Sequence, residues 1–179
     1  MVLLAVVAVG CGDPAPELHK PVPEWQKANS ASGRYVAEFP ATPTTRTITP
    51  PGSELSMQLT EAQSDDIAFA VAETTLNDTN AYPLDEAVDK SIESARSGQE
   101  SGSAGTVTAT EISRSTGDFE GVETRKFTYN LFDEDKKATV TSLIFYRDNA
   151  IVQATVVANS EADSEIADRF LSSLKSRPA

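Results

Sequence analysis

Two runs late in the chain, ATVTSLIFYR from Ala138 to Arg147 and AIVQATVVA from Ala150 to Ala158, carry apolar or β-branched residues at nearly every position. β-Branched side chains are stiff at χ1 and pack well on a pleated surface, so both runs read as strands. A strand that is apolar on both faces needs cover on both faces, which predicts two central strands. Between them stand Asp148 and Asn149, a pair that tolerates positive φ and suits a two-residue hairpin turn. The two strands are therefore expected side by side and antiparallel, in the middle of a layered fold.

The rest of the pattern supplies neighbours and covers. Leu55, Met57 and Leu59 alternate with Ser56, Gln58 and Thr60, and Phe127, Tyr129 and Leu131 alternate with Lys126, Thr128 and Asn130. A period of two marks strands buried on one face. In YPLDEAVDKSIESARSG the residues Leu84, Ala87, Val88, Ile92 and Ala95 form one stripe at helical spacing. With Pro83 in the first turn and Gly98 past the end, this predicts a helix over 84–97. A second helix is expected over 161–175, capped by Ser160 and burying Ile166, Ala167, Phe170, Leu171 and Leu174. SGQESGSAG, between the first helix and the next strand, reads as a mobile loop.

The N-terminal end has a different character. Val2 to Val9 is an apolar run of eight residues, long enough for the hydrophobic region of a secretory signal. A membrane-spanning helix needs about 20 residues, so this run is too short to cross a bilayer. Ala8 and Gly10 bracket Val9 just before Cys11, the single cysteine. This stretch resembles the lipobox of bacterial lipoproteins, and the resemblance implies a signal peptide over 1–10 and lipid attachment at Cys11, with acyl chains such as palmitate. It differs from the family pattern in having Ala8 where Leu is preferred. It also has no basic residues before the apolar run, which points to a start codon placed too late.

After Cys11, Pro14, Pro16, Pro21 and Pro23 lie too close together for helix or central strand, and 11–32 reads as a tether. As a coil it would span about 25 Å and as extended polyproline about 65 Å. Trp25 is expected to fold back onto the domain, since a bare ring on a linker would expose a large apolar surface.

Charge and residue chemistry narrow the function. The formal charge of −12 argues against nucleic acid, whose binding relies on basic residues that displace counterions. It also argues against attraction to anionic lipid headgroups, leaving acyl chains to hold the protein at a membrane. One cysteine allows no intramolecular disulfide, and one cysteine with one histidine, His19 in the tether, cannot build a zinc site.

Other chemical motifs are equally sparse. Asp133, Glu134 and Asp135 could offer oxygen ligands to calcium, but Lys136 and Lys137 follow directly and no EF-hand spacing is present, so the segment reads as a charged hairpin loop. Asp65 and Asp66 read the same way. Ser172 and Lys175 match Ser-x-x-Lys without its companion motifs, and SGSAG lacks the spacing of a nucleophile elbow. No catalytic residue, metal site or cofactor is expected.

Four segments in order carry a further resemblance: GRYVAEFPATP at 33–43, YPLDEAVDKSIESA at 82–95, EGVETRKFTY at 120–129 and ADRFLSSLK at 167–175. Together they are similar to the bacterial PsbP-like domain family, which includes DcrB-type and LpqN-type lipoproteins. The resemblance implies an α+β domain over 33–179, with an antiparallel sheet of about six strands sandwiched by helices. It also implies a non-enzymatic accessory or binding role. The expected protein is thus a lipid-anchored lipoprotein of the bacterial cell envelope, facing the periplasm or cell exterior and binding another envelope protein. The alternative is a carrier of a lipophilic ligand in a cavity between sheet and helices.

Overall fold

The hairpin at Asp148 and Asn149 forms as expected. Both residues take positive φ, 51° and 57°, and Arg147 pairs with Ala150 across them. The computed structural model describes residues 24–49, 55–76, 82–100, 106–133, 136–158 and 164–177. In chain order the elements are β1 (Gln26–Asn29), β2 (Tyr35–Phe39), β3 (Thr44–Ile48), β4 (Met57–Ser64), β5 (Ile67–Thr75), α1 (Leu84–Glu100) and β6 (Val107–Phe119). They continue with β7 (Val122–Asp133), β8 (Lys136–Arg147), β9 (Ala150–Ala158), α2 (Ser164–Ser173) and β10 (Lys175–Ser176).

Seven strands form one antiparallel sheet in the order β3-β4-β5-β9-β8-β7-β6, and a second, three-stranded sheet runs β1-β2-β10. The expected six-stranded sheet between helices is therefore corrected to a more β-rich arrangement. One face of the large sheet carries α1, and the other carries α2 together with the small sheet. β9 lies at the centre of the seven and is buried along nearly its whole length, as its composition requires. Its neighbour β8 departs from the expectation, because Thr139 and Thr141 on its α2-side face are only half-buried. Both helices occur, α1 running on to Glu100 and α2 ending at Ser173 rather than 175. Ser160, the expected cap, lies outside the described residues.

The core has two main parts. Ala87, Val88 and Ala95 of α1 pack on Phe127, Tyr129, Val140 and Ile144. On the other face Phe39, Phe69 and Phe170 make edge-to-face contacts, Phe69 and Phe39 standing 5.3 and 5.2 Å from Phe170. Beside them Phe119 stacks on Phe145 at 4.5 Å.

The small sheet is fastened to the large one at the Ser30–Arg34 turn. Glu73 of β5, 2% exposed, accepts from Ser32 Oγ at 2.6 Å and Arg34 Nε at 3.1 Å, and Ala31 N donates to Thr60 Oγ1 at 2.7 Å. A buried carboxylate with both a cationic and a hydroxyl partner avoids the large penalty of an unpaired charge. β1 occupies residues that composition assigns to the tether. Trp25 does return to the domain, standing edge-on to Phe69 at 5.7 Å with the Arg169 guanidinium 4.3 Å from its ring.

Candidate functional site

α2 covers the middle of its sheet face and leaves the β6–β7–β8 wing open. Register explains what is left there. Ser113, Thr128 and Thr141 lie in one row across the three strands, and Asn130 and Thr139 pair in the next. Alternation sends Phe127, Tyr129 and Leu131 to the α1 side, so the opposite side of β7 receives the polar residues between them. Thr128 and Thr141 hydroxyls stand 3.3 Å apart, and Thr139 Oγ1 donates to Asn130 Oδ1 at 2.9 Å.

These hydroxyls, with Ser113, Ser115, Ser164 and Asp168, line a groove of about 300 Å³. Lys126 Nζ meets Asp168 Oδ1 at 2.5 Å, tying β7 to α2. Both residues also border a wider groove of about 890 Å³ along the outer side of α2, between Phe119, Leu143, Leu171 and Leu174. The chemistry available is hydrogen bonding by uncharged hydroxyls beside one closed ion pair. A hydroxyl becomes a nucleophile when a base is poised to take its proton, and the amine and carboxylate nearest these hydroxyls are bound to each other.

At the far side of the wing lies an ion-pair network. Arg114 of β6 reaches Asp89 at 2.6 Å, Glu111 at 2.7 Å and Asp85 at 3.3 Å. Arg125 of β7 reaches Asp85 at 3.0 Å and Glu123 at 2.6 Å. Hydrogen bonds from Arg125, then Arg114, hold the Asp85 carboxyl below its ordinary range.

Of the described residues singled out by motif, Ser172 and Lys175 border the wider groove, and Asp65 lies away from both grooves. Cys11 and His19 lie outside the described residues, as do Glu134 and Asp135. Asp65 sits in the β4–β5 turn with φ of 51°, a backbone role. Ser172 Oγ donates to Arg169 O at 3.1 Å on α2, whereas Lys175 belongs to β10, so the Ser-x-x-Lys spacing is split between two elements. Among the described residues no three His, Cys, Asp or Glu side chains are grouped to hold a metal, and no helix is long and apolar enough to cross a membrane. The hydroxyl groove escaped motif reading because its parts come from three strands and α2. The period-two pattern of β7 was its one visible trace.

No family model matches the sequence, and comparison with curated proteins finds no match. Solved structures do match. The solution structure of cyanobacterial PsbP (CyanoP) from Synechocystis sp. PCC 6803 superposes with a TM-score of 0.65, at 9% identity, over 91% of this chain and 98% of that one. The fold is PsbP-like. Two Pseudomonas aeruginosa proteins superpose less well. One is PA94, a protein of unknown function, with a TM-score of 0.48 at 14% identity over 87% of this chain and 99% of that one. The other is the immunity protein TplEi, solved with a peptide, with a TM-score of 0.46 at 12% identity over 83% and 60%. At these identities the PsbP-like assignment concerns architecture alone.

Proposed function

We propose that this PsbP-like domain is a non-catalytic binding module of a bacterial cell envelope, held to a membrane by acylated Cys11 and engaging an envelope protein through the wing beside α2. The observation that carries the reading is the open, hydroxyl-lined groove next to the exposed Lys126–Asp168 pair. It offers hydrogen-bonding surface, and among the described residues lining it the one amine and the one carboxylate face each other. Acylation at Cys11 would suit this role, since tethering raises the effective concentration of a domain near other envelope proteins and lets a weak interface suffice. The carrier reading draws less support. A ligand cavity needs on the order of 300 Å³ of enclosed apolar space; the Phe39, Phe69 and Phe170 cluster fills the space beneath α2, and the wider groove beside the helix is open and bordered by Asp118, Lys126, Glu165 and Asp168 as well as apolar residues.

Two measurements test this. In a bacterial host, the chain given a basic start should partition into detergent, and its Cys11→Ser variant should stay in the aqueous phase; equal partitioning removes the anchor. A photocrosslinking residue at Thr141 should capture a discrete envelope protein, whereas one at Thr45 on the opposite sheet edge should not. Capture from Thr45 alone would overturn the assignment of the wing.

A further inference from the structure

We propose that the outer edge of β6 accepts an extended, basic segment of a partner protein as an additional strand of the large sheet. The proposal rests on the binding reading above and gives it a partner chemistry. β6 ends the sheet order, and among the described residues β7 is its one strand partner. Half of its backbone N–H and C=O groups therefore face outward along 13 residues. Such an edge is a template for strand addition unless something blunts it.

The usual blunting devices are sparse. Neither proline nor lysine occurs from 107 to 119. The ladder with β7 is interrupted between Glu111 and Ser113, which leaves Ile112 57% exposed, and then continues without a break from Ser113 to Phe119. Arg114, the one cation on this stretch, is drawn aside by Asp85, Asp89 and Glu111 and is 20% exposed. Gly117 has no side chain for a specific reason, since a Cβ there would stand 2.9 Å from Thr124 Oγ1. The edge from Ser113 to Asp118 is consequently low and accessible.

The two flanks of that edge specify the side chains of an incoming strand. On the α1 side, Asp85, Asp89, Glu111 and Glu123 surround Arg114 and Arg125, which leaves two negative charges in excess. On the α2 side, Ser113 and Ser115 open into the hydroxyl-lined groove. Successive residues of a strand point to opposite faces. The matching partner alternates lysine or arginine, directed at the carboxylates, with small polar residues directed at the hydroxyls. A second copy of this chain fits poorly, because pairing β6 with β6 would bring the same excess of carboxylates together on a chain of net charge −12.

The test is an NMR titration of the full chain carrying Cys11→Ser with an alternating Lys-Thr octapeptide, acetylated and amidated. Amide shifts and slowed hydrogen exchange are expected from Ser113 to Phe119. Only alternate residues of an added strand bond to β6, so of two peptides N-methylated at odd or at even positions, one should bind at least about tenfold weaker and the other near normally. Thr116→Pro, with its fold checked by circular dichroism, should weaken the parent peptide similarly. Equal binding of all three peptides, shifts confined to α1, or no binding at millimolar peptide would each overturn edge addition. A negative titration beside successful crosslinking at Thr141 would sink the edge proposal alone, and loss of both would sink the binding reading.

Discussion

Tyr129 buries its ring and its hydroxyl together, and among the described residues the hydroxyl has no hydrogen-bond partner. Burial pushes its ionisation well above the ordinary tyrosine range. Nearby, a comparable load of buried polarity is satisfied: Gln153 Nε2 donates to Ser91 Oγ at 3.0 Å, and the Ser142 and Thr155 hydroxyls stand 2.9 Å apart. The contrast gives a prediction. Tyr129→Phe keeps the stack on Phe127, whose centroid is 6.1 Å away, and removes an unpaired polar atom. Stability should rise by about 1 kcal/mol, given what an unsatisfied buried group costs. Denaturant midpoints measure it, and a loss above about 1 kcal/mol would reveal a partner for the hydroxyl. Alternation in the sequence placed Tyr129 inside; whether its oxygen would find a partner depended on residues far along the chain.

Among the elements, α2 and β1 show how tertiary contacts reset local boundaries. The apolar stripe continues to Leu174, yet the helix stops at Ser173. Ser173 Oγ donates to Phe170 O at 2.6 Å and accepts from Glu38 N at 2.9 Å, and the next residues pair with β2. The Phe170 carbonyl freed at the helix end is thus taken up by the Ser173 hydroxyl, and the chain beyond it pairs with β2. β1 likewise becomes a strand because β2 offers an edge, although its own four residues, QKAN, have no apolar alternation. Phe170→Ala should cost about 3–5 kcal/mol, as for other buried aromatics. Trp25→Ala, at a half-buried ring, should cost about 1 kcal/mol. Comparable losses in chemical denaturation would mean that β1 is as deeply integrated as α2, and a loss below about 1 kcal/mol for Phe170→Ala would mean that α2 is not docked.

For the whole molecule, the surplus of carboxylates makes pH the most direct probe. Asp85 is held low by Arg125, and Glu120 chiefly by the Ser176 hydroxyl, with Arg147 3.0 Å away. A carboxyl with a lowered folded-state pKa contributes stability that is present above its unfolded value, near pH 4, and is lost as pH falls through the folded value. Unfolding midpoints should therefore change little from pH 7 to 5 and fall below about pH 4, less steeply in Asp85→Asn. A steep fall above about pH 5 would point to a different group. At this scale the sequence by itself determined β4, β7, β8 and β9, the Asp148–Asn149 turn and the two amphipathic helices, because periods of two and 3.6 and tolerance of positive φ are properties of adjacent residues. Only the tertiary structure decided the order β3-β4-β5-β9-β8-β7-β6, the small sheet joining β1 and β2 to β10 from the other end of the chain, and the uncovered faces of β6, β7 and β8. Those features depend on which strands meet and how far one helix reaches across them, and long-range pairing leaves no periodic mark in the segments it joins.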